Sequence, residues 1–488
     1  MNFCLYLSII VNLIVNSLSY SIPEPKVEIL SPQGLRISIP HEKGIVLVAY
    51  HINIDKPIAL NQPGEYSADI TEPTNDNKWL FHISNAFIDP GNKVNYWMHV
   101  QYGGYAYRKL GSQVAGGSPV EISDSESTTG STTKVQQLPN DCEKSVTTVG
   151  RNAVCKGQLI FEDNFESLNW TMWKREVRIP IDTDDSMFVS FQDRSENCYV
   201  SDGKLHIVPN LLTEVPGFNE TRIRTGKMDL GAKCTAIIDM SRECIRNARF
   251  FQVLPPVVSA RINTKDFFTF RFGRVEVRAK MPKGDWLFPL ILLEPAESYY
   301  GFTDYSSGQM RVAFIRSNEL LESKTGDDLS GKRIMGGIVL STGDELRDSW
   351  LKSSLRRSHM GDEYHNFTLI WNEEDISLHL DGKEYGFIRG GFSKLTQTHS
   401  LPHASLWSNR HLMAPFDREF FLTLGLGAGG HSDFPGGCLN GPTKLNKAWR
   451  NHHPKAELRF WNDRENWLKT WNGDQSGLHV DYVKVYAL

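Results

Sequence analysis

The stretch SGQMRVAFIRSN, Ser307–Asn318, decides the fold prediction for this chain. It follows an aromatic and apolar run, FRFGRVEVRAKMPKGDWLFPLILLEP, at Phe270–Pro295, and together they predict central strands of a β-sheet. Gln309 and Arg311 share one face of the second strand because side chains alternate along a strand. Phe314 lies five positions after Gln309, so it reaches the same face only if a β-bulge intervenes.

These strands resemble the central strands of a glycoside hydrolase family 16 domain, a fold that cleaves β-1,3-glucans. In that family the second strand reads SGEIDIMEYRGN or close to it, whereas this chain has Gln309, Arg311 and Phe314 in place of the three acidic residues. A retaining glycosidase needs two carboxyl groups about 5 Å apart, one as nucleophile and one as acid/base. An amide cannot form the glycosyl-enzyme ester, phenylalanine has no proton to give, and arginine adds a fixed positive charge. The sequence therefore predicts a glycosidase frame without catalysis.

One alternative is that the chain is an active enzyme. If the strand is misplaced, Glu294, Glu297 or Asp304 supplies the carboxylates and the chain is an active secreted β-1,3-glucanase. Ser307 and Asn318, which match the family on both sides of the altered positions, favour the first alignment.

Composition excludes several classes of protein. The chain has 488 residues, enough for two to four domains, with 40% hydrophobic and 23% charged residues. A formal net charge of −4 gives no reason to expect a nucleic acid or an anionic membrane as partner. Abundant glycine, proline and aromatic residues are typical of an all-β chain with many turns.

The amino terminus predicts a secretory signal peptide over residues 1–19. Phe3–Val15 is largely apolar, and Ser17-Leu18-Ser19 offers small residues for cleavage. The alternative is a membrane anchor, but the apolar run is too short to span a bilayer comfortably. We therefore expect an extracellular protein with no membrane span.

Secretion would make the cysteines candidates for disulfides. Seven cysteines occur, and six remain once Cys4 leaves with the predicted signal. Two pairs are close in sequence and the third follows by elimination, although six cysteines allow other connectivities. No CxxC motif or Cys/His cluster indicates a metal, and no glycine-rich phosphate loop indicates a nucleotide, so no cofactor is predicted. The predicted pairs are Cys142 with Cys155, Cys234 with Cys244, and Cys198 with Cys438.

Three N-x-S/T sequons, at Asn169, Asn219 and Asn366, predict N-glycosylation in a secreted chain. Asn366 lies within a predicted strand and is the weakest of the three.

Alternating patterns divide the mature chain into three parts. Residues 20–110 show short strands, such as Lys78–Ile83 and Lys93–Tyr102, which predict a small antiparallel, immunoglobulin-like β-sandwich. Residues 111–141 are rich in serine, threonine and glycine and predict a flexible linker. Residues 142–488 carry further strands and family 16 signatures, which imply two stacked antiparallel sheets in a concanavalin-like jelly roll.

The first part resembles the amino-terminal glucan-binding domain of insect β-1,3-glucan recognition proteins, also called Gram-negative bacteria-binding proteins (carbohydrate-binding module family 39). The matching residues are Ile37-Ser38-Ile39-Pro40, Trp79 and Tyr96-Trp97. The resemblance implies sugar contacts by Trp79, by Phe81 two residues later and by Asp55, since aromatic faces stack on the apolar face of a sugar. The alternative is that Trp79 and Phe81, which share a strand face, belong to the core.

The resemblance implies a secreted, non-catalytic pattern-recognition receptor of insect innate immunity. It would circulate in haemolymph, bind microbial β-1,3-glucan and act upstream of a serine-protease cascade that leads to Toll signalling or prophenoloxidase activation. An extracellular modular serine protease would then be the protein partner. Peptidoglycan of Gram-positive bacteria remains an alternative polymer, and a structural extracellular protein without a ligand remains an alternative class.

Overall fold

The computed structural model describes residues 20–488 apart from residues 32–33, 59–63, 75, 84–87, 89–90, 103–104, 116–119, 122–141, 151, 182–185, 237–239, 302, 343–345 and 396–400. The chain forms two compact units, Met1–Lys134 and Val135–Leu488. The predicted signal peptide and most of the predicted linker lie outside the described residues.

Eight strands are described in the first unit. They are β1 Lys26–Ser31, β2 Leu35–Pro40, β3 Ile45–Ile54, β4 Tyr66–Ile70, β5 Lys78–Ile83, β6 Lys93–Tyr102, β7 Tyr105–Val114 and β8 Val120–Glu121.

These strands form two four-stranded sheets, in the orders β5-β2-β1-β8 and β4-β3-β6-β7. Neighbours are antiparallel except for β1 and β8, which pair in parallel. In the middle of β3 and β6 every second residue is fully buried, as in Tyr50 and Ile52 of β3 and Tyr96 and Met98 of β6, because alternate side chains face the core. The predicted sandwich of the first unit is confirmed.

The first sandwich continues past Leu110, where the sequence predicted its end. Strand β7 runs to Val114 and pairs with β6 over its whole length. Gly111 looks like linker composition, but a Cβ at this position would lie 2.4 Å from the hydroxyl oxygen of Tyr96. Glycine is therefore required here by close packing within a strand, and the predicted start of the linker at residue 111 is too early.

The second unit has many more strands. They are β9 Lys144–Val149, β10 Asn152–Cys155, β11 Leu159–Asp163, β12 Lys174–Arg175, β13 Val189–Phe191, β14 Cys198–Ser201, β15 Lys204–Ile207, β16 Asn210–Leu211, β17 Lys227–Asp229, β18 Ile245–Asn247, β19 Val257–Ser259, β20 Arg261–Asn263, β21 Phe270–Arg271, β22 Gly273–Lys280, β23 Leu287–Pro295, β24 Gln309–Phe314, β25 Leu321–Glu322, β26 Arg333–Val339, β27 Leu351–Leu355, β28 His365–Trp371, β29 Asp375–Leu380, β30 Lys383–Arg389, β31 Phe420–Ala428, β32 Leu439–Asn440, β33 Leu445–Asn446 and β34 Leu478–Tyr486.

Helices in the described part of the second unit are short. The α-helices are α1 Glu220–Thr225, α2 Met240–Glu243, α3 Ala456–Asn462 and α4 Arg464–Trp467, and the 3-10 helices are Leu212–Glu214, Gly231–Lys233, Phe392–Lys394, Pro402–Trp407, Leu468–Thr470 and Gly473–Ser476.

Two large sheets build the second unit. A ten-stranded sheet runs in the order β10-β9-β21-β31-β23-β24-β26-β27, with β12 and β20 joined beside β31. An eight-stranded sheet runs β14-β15-β34-β22-β28-β29-β30, with β11 also paired to β34. Apolar side chains of both sheets form one core cluster. Strands β23, β24 and β31 lie in the middle of the larger sheet and are buried along nearly their whole length, which explains the apolar runs of β23 and β31. The predicted jelly-roll sandwich is confirmed.

Two of the three predicted disulfides are present, Cys142–Cys155 and Cys234–Cys244. The third is wrong, because Cys198 and Cys438 are buried free thiols. Cys198 begins β14 in the eight-stranded sheet, whereas Cys438 precedes β32 in a separate small sheet. Pairing by elimination assumed that every cysteine is oxidised, but a buried free cysteine can serve as a small apolar core residue.

Candidate functional site

The altered positions Gln309, Arg311 and Phe314 are all buried on β24 in the ten-stranded sheet. Gln309, Met310 and Arg311 pair with β26 in regular register, but the register has shifted by the time Phe314 pairs. This irregularity turns Phe314 back beside Arg311, whose guanidinium carbon lies 4.5 Å from the centre of the phenyl ring. The irregularity that the spacing predicted is therefore present, and it brings Arg311 and Phe314 together.

The carboxylate beside Gln309 comes from the neighbouring strand β23. Gln309 Nε2 lies 3.5 Å from Oε1 of Glu294. The other oxygen of Glu294 accepts a hydrogen bond of 2.6 Å from the Thr423 hydroxyl and pairs with the buried guanidinium of Arg261. Glu294 thus has two partners of its own, one of them a cation.

Glu297 and Asp304, the other acidic residues of the enzyme alternative, are placed differently. Glu297 is exposed, just after β23 ends. Asp304 accepts hydrogen bonds from the backbone N–H and the hydroxyl of Thr342, at 2.8 and 2.7 Å, so its carboxylate fastens a loop.

Arg311 belongs to a buried ionic cluster, here called the arginine cluster: Arg311, Arg316, Arg347, Asp348 and Asp433. Asp433 Oδ1 lies 3.2 Å from Arg311 Nη2 and 2.8 Å from Arg347 Nη2. Asp348 lies 2.9 Å from Arg316 and 3.3 Å from Arg347. Burial alone would raise the pKa of Asp348, but Arg347 and Arg316 outweigh it and hold that pKa below its ordinary value.

The arginine cluster carries more positive than negative charge. Three guanidinium groups face two carboxylates, which leaves an excess of one positive charge. Arg311 is 3% exposed, and its Nε and Nη1 atoms are buried without a hydrogen-bond partner among the described residues. Gln309, Arg311 and Phe314 offer an amide, a cation and a phenyl ring, and none of these can act as nucleophile or general acid at a glycosidic bond.

In the first unit Trp79 does not offer a face to a sugar. Its side chain is 1% exposed in the core, and its indole N–H donates to His41 Nδ1 at 3.1 Å. Its backbone carbonyl accepts a hydrogen bond of 2.7 Å from the Tyr50 hydroxyl. The expectation that Trp79 stacks on a sugar is therefore corrected, because β5 turns this residue towards the core.

Phe81 and Asp55 remain accessible. Phe81 is half-buried and lies 6.2 Å from the ring of Tyr50. Asp55 is exposed, and its carboxylate accepts hydrogen bonds from Asn92 Nδ2 and from the backbone N–H of Lys93, both at 2.7 Å. Asp55 has a φ of 55°, a conformation that aspartate and asparagine tolerate better than most residues. Sugar contact by these two side chains stays a prediction.

A depression in the second unit was not predicted from the sequence. It has a volume of about 430 Å³, and its lining includes Trp170, Arg175 and Phe267. The guanidinium carbon of Arg175 lies 3.3 Å from the centre of the Trp170 ring, and Phe267 is largely exposed. Trp170 immediately follows the sequon asparagine Asn169, and a tryptophan beside a predicted glycosylation site was a signal for an exposed aromatic residue.

The three sequon asparagines differ in exposure. Asn169 and Asn219 are exposed, and Asn219 caps α1 by accepting from the backbone N–H of Arg222 at 2.9 Å. Asn366 lies in β28, where its Nδ2 donates to the Tyr482 hydroxyl at 3.2 Å.

Fold and site together define an all-β protein of two sandwich units whose second unit carries a buried arginine on its central strand. The family model CBM39, a carbohydrate binding domain (family 32), matches residues 21–133. The chain is 35% identical to β-1,3-glucan-binding protein 1 of Manduca sexta, over 99% of both chains. It is 34% identical to Gram-negative bacteria-binding protein 1 of Drosophila melanogaster and 37% identical to the β-1,3-glucan-binding protein of Hyphantria cunea, each over 96% of both chains. The chain belongs to the family of β-1,3-glucan-binding and Gram-negative bacteria-binding proteins.

Among solved structures, the laminarinase catalytic domain of Thermotoga maritima is similar at 16% identity and a TM-score of 0.41, covering 68% of this chain and 99% of that one. The laminarinase of Rhodothermus marinus is similar at 18% identity and a TM-score of 0.41, covering 68% of this chain and 97% of that one. In the part of the chain that the structure describes, no helix is both long and apolar enough to cross a membrane.

Proposed function

We propose that this chain is a secreted recognition protein that binds microbial β-1,3-glucan and does not cleave it. The observation that carries the proposal is the similarity along nearly the whole chain to proteins named for binding β-1,3-glucan. The match of residues 21–133 to a carbohydrate binding domain supports the first unit as the place of binding.

Strand β24 lacks the groups that cleavage would need. A retaining mechanism needs two carboxyl groups about 5 Å apart. Gln309, Arg311 and Phe314 supply none, and Glu294 is engaged by Arg261 and Thr423. A single carboxylate cannot supply both the nucleophile and the acid/base that this mechanism requires.

Within the first unit we propose Phe81 and Asp55 as sugar contacts. A half-buried phenyl ring offers one face for stacking, and an exposed carboxylate can accept hydrogen bonds from sugar hydroxyls. Trp79 would contribute only by supporting β5 from inside.

The test is binding of the full chain to insoluble β-1,3-glucan, measured as the amount that co-sediments over a range of glucan concentrations. Phe81→Ala and Asp55→Asn are compared with the wild type, and cellulose serves as the control polymer. Asp55→Asn is informative because asparagine tolerates the left-handed backbone and keeps one oxygen acceptor. Asp76→Asn is the matched control, since Asp76 is another exposed carboxylate of the same unit, hydrogen-bonded to Thr74 at 2.5 Å.

We expect the wild type and the Asp76 variant to bind glucan with equal affinity. Either proposed contact variant should bind with about tenfold lower affinity, which corresponds to about 1.4 kcal/mol of binding free energy. Thermal unfolding of each variant must match the wild type for the comparison to count. Wild-type binding that neither variant weakens would move the site elsewhere. Failure of the wild type to bind glucan would refute the proposal itself.

Secretion and a protein partner belong to the same proposal. Two disulfides in the second unit support an oxidising compartment. The partner that the family resemblance implies is an extracellular modular serine protease. Recovery of the chain from the medium of an expressing insect cell line, starting at or near Tyr20, would support secretion, and retention inside the cells would count against it.

A further inference from the structure

Two histidines project from the outer face of the eight-stranded sheet. His206 on β15 and His479 on β34 are opposite each other in an antiparallel pair, and their ring centres are 4.4 Å apart. The neighbours of His206, Leu205 and Ile207, are fully buried, so His206 points away from the core. Directly opposite residues on one face are near enough for their side chains to share a ligand.

An aspartate, Asp474, lies beside both histidines. The 3-10 helix Gly473–Ser476 precedes β34 and brings Asp474 to the two rings. Asp474 Oδ1 lies 2.9 Å from His206 Nδ1 and 3.3 Å from His479 Nε2. One ligand atom from each of the three residues lies within 4.8 Å of the others, and this is the one such group of three among the residues that the structure describes.

These distances match the edges of a metal coordination polyhedron. In a tetrahedral zinc site, ligand atoms about 2.0–2.1 Å from the metal are about 3.3 Å from one another. The distance from Asp474 to His479 equals that edge at 3.3 Å, and the distance to His206, 2.9 Å, is a few tenths of an ångström shorter. Two imidazoles and one carboxylate suit zinc and its transition-metal neighbours, whereas calcium and magnesium prefer oxygen ligands alone.

We propose that His206, Asp474 and His479 form a binding site for a divalent transition-metal ion such as Zn²⁺. Asp474 is exposed, so the ion can enter from solvent and water can take the fourth position. Tyr199 stacks on the ring of His206 at 5.0 Å and donates its hydroxyl to Asp474 Oδ1 at 3.1 Å, which orients both ligands.

Metal binding requires His479 to exchange its hydrogen bond with Asp474 for a bond to the ion. His479 Nε2 lies 2.8 Å from the backbone carbonyl of Asp474 as well as 3.3 Å from its carboxylate. On binding, the imidazole of His479 takes the neutral tautomer that is protonated at Nδ1, so that Nε2 presents its lone pair to the ion. The ion would then join the turn at Gly473–Ser476 to β15 and β34, so it would stabilise the folded second unit in proportion to its concentration.

The test uses the full chain after dialysis against a chelator. ZnCl₂ is titrated by calorimetry, and CoCl₂ is titrated in parallel, because tetrahedral Co²⁺ has a visible absorption that reports its ligands. CaCl₂ is the probe for a site made of oxygen ligands alone. Thermal unfolding is recorded with and without ZnCl₂.

The variants are His206→Ala and Asp474→Asn, both near the surface, so at least one should fold. His365→Ala is the matched control: His365 Nδ1 lies 2.8 Å from Asp381 Oδ2, the same type of pair on the same sheet but outside any group of three described ligands. We expect one Zn²⁺ per chain in the wild type and in the control. Either ligand variant should bind Zn²⁺ with at least tenfold lower affinity, because loss of even an outer-shell partner costs about that much. Either variant should also lose the rise in unfolding temperature that ZnCl₂ causes in the wild type.

Three results would overturn the proposal: no binding of Zn²⁺ or Co²⁺ by the wild type, equal binding by wild type and both ligand variants, or a preference for Ca²⁺. The second of these would assign the metal to scattered surface histidines.

Discussion

Replacing Asp433 by asparagine should destabilise the second unit far more than replacing Arg311 by methionine. Asp433 is 1% exposed and pairs with both Arg311 and Arg347, while its backbone carbonyl accepts from Arg316 Nε at 2.6 Å. The asparagine variant leaves three buried guanidinium groups with Asp348 as the one carboxylate of the cluster. Removing one partner of a buried ion pair costs roughly 3–5 kcal/mol, because the remaining charges stay buried and uncompensated.

Arg311→Met changes the net charge of the same cluster in the opposite direction. It removes the excess positive charge, and Asp433 keeps Arg347 as a partner at 2.8 Å. It also removes two buried donors of Arg311 that have no partner among the described residues, and each such donor costs about 1–3 kcal/mol. Methionine fills a similar volume. We therefore expect a cost below about 1 kcal/mol, or a gain.

The assay is urea unfolding of the full chain at neutral pH, followed by tryptophan fluorescence, with calorimetry to separate transitions of the two units. The variants are compared through the free energy of unfolding of the second unit. An Arg311→Met variant as unstable as Asp433→Asn would refute this reasoning, since it would make Arg311 a necessary support rather than a surplus charge.

Three further predictions concern the second unit. Burial raises the pKa of Asp285 to about 6, so this carboxyl stabilises the folded state while it is protonated and loses that contribution as the pH rises from about 4 to 6. In denaturant unfolding, the free energy of unfolding of Asp285→Asn should therefore rise relative to the wild type by up to about 3 kcal/mol across that range. A difference that does not depend on pH would contradict this. Alkylation in denaturant followed by peptide mapping should label Cys198 and Cys438 as free thiols. A disulfide-linked peptide that contains both cysteines would contradict this and show that the third predicted disulfide forms. Enzymatic deglycosylation in heavy-oxygen water should mark Asn169 but leave Asn366 unmarked, because Asn366 is held in a strand; a marked Asn366 would mean that glycosylation precedes folding of β28.

Local patterns were sufficient for most of the fold and for the position of β24. Alternation and apolar runs predicted the strands, and the spacing of Gln309, Arg311 and Phe314 predicted an irregularity between them that the structure contains. The partners of Arg311 could not be predicted, since Asp433 is 122 positions away and no periodicity connects them. Long-range ion pairs are set by sheet order, which a single sequence does not encode in any local pattern.

The sites were harder to predict than the fold. Trp79 and Phe81 share a strand face, and period-2 alternation does not reveal which face of β5 turns inward; the structure buries Trp79 against His41 and Tyr50. The histidine pair His206 and His479 was missed because the two residues belong to strands far apart in sequence, and only the pairing of β15 with β34 makes them neighbours.

The most direct test of the central claim is to measure glucan binding and sugar release in the same tubes. Wild-type protein is incubated with insoluble β-1,3-glucan, the pellet is assayed for bound protein and the supernatant for new reducing ends, beside a mock-purified control and an active β-1,3-glucanase. A non-catalytic recognition protein predicts protein in the pellet and sugar release equal to the mock control. Sugar release above that control, lost when Glu294 is replaced by glutamine, would contradict the account and assign catalysis to the one carboxylate found beside Gln309.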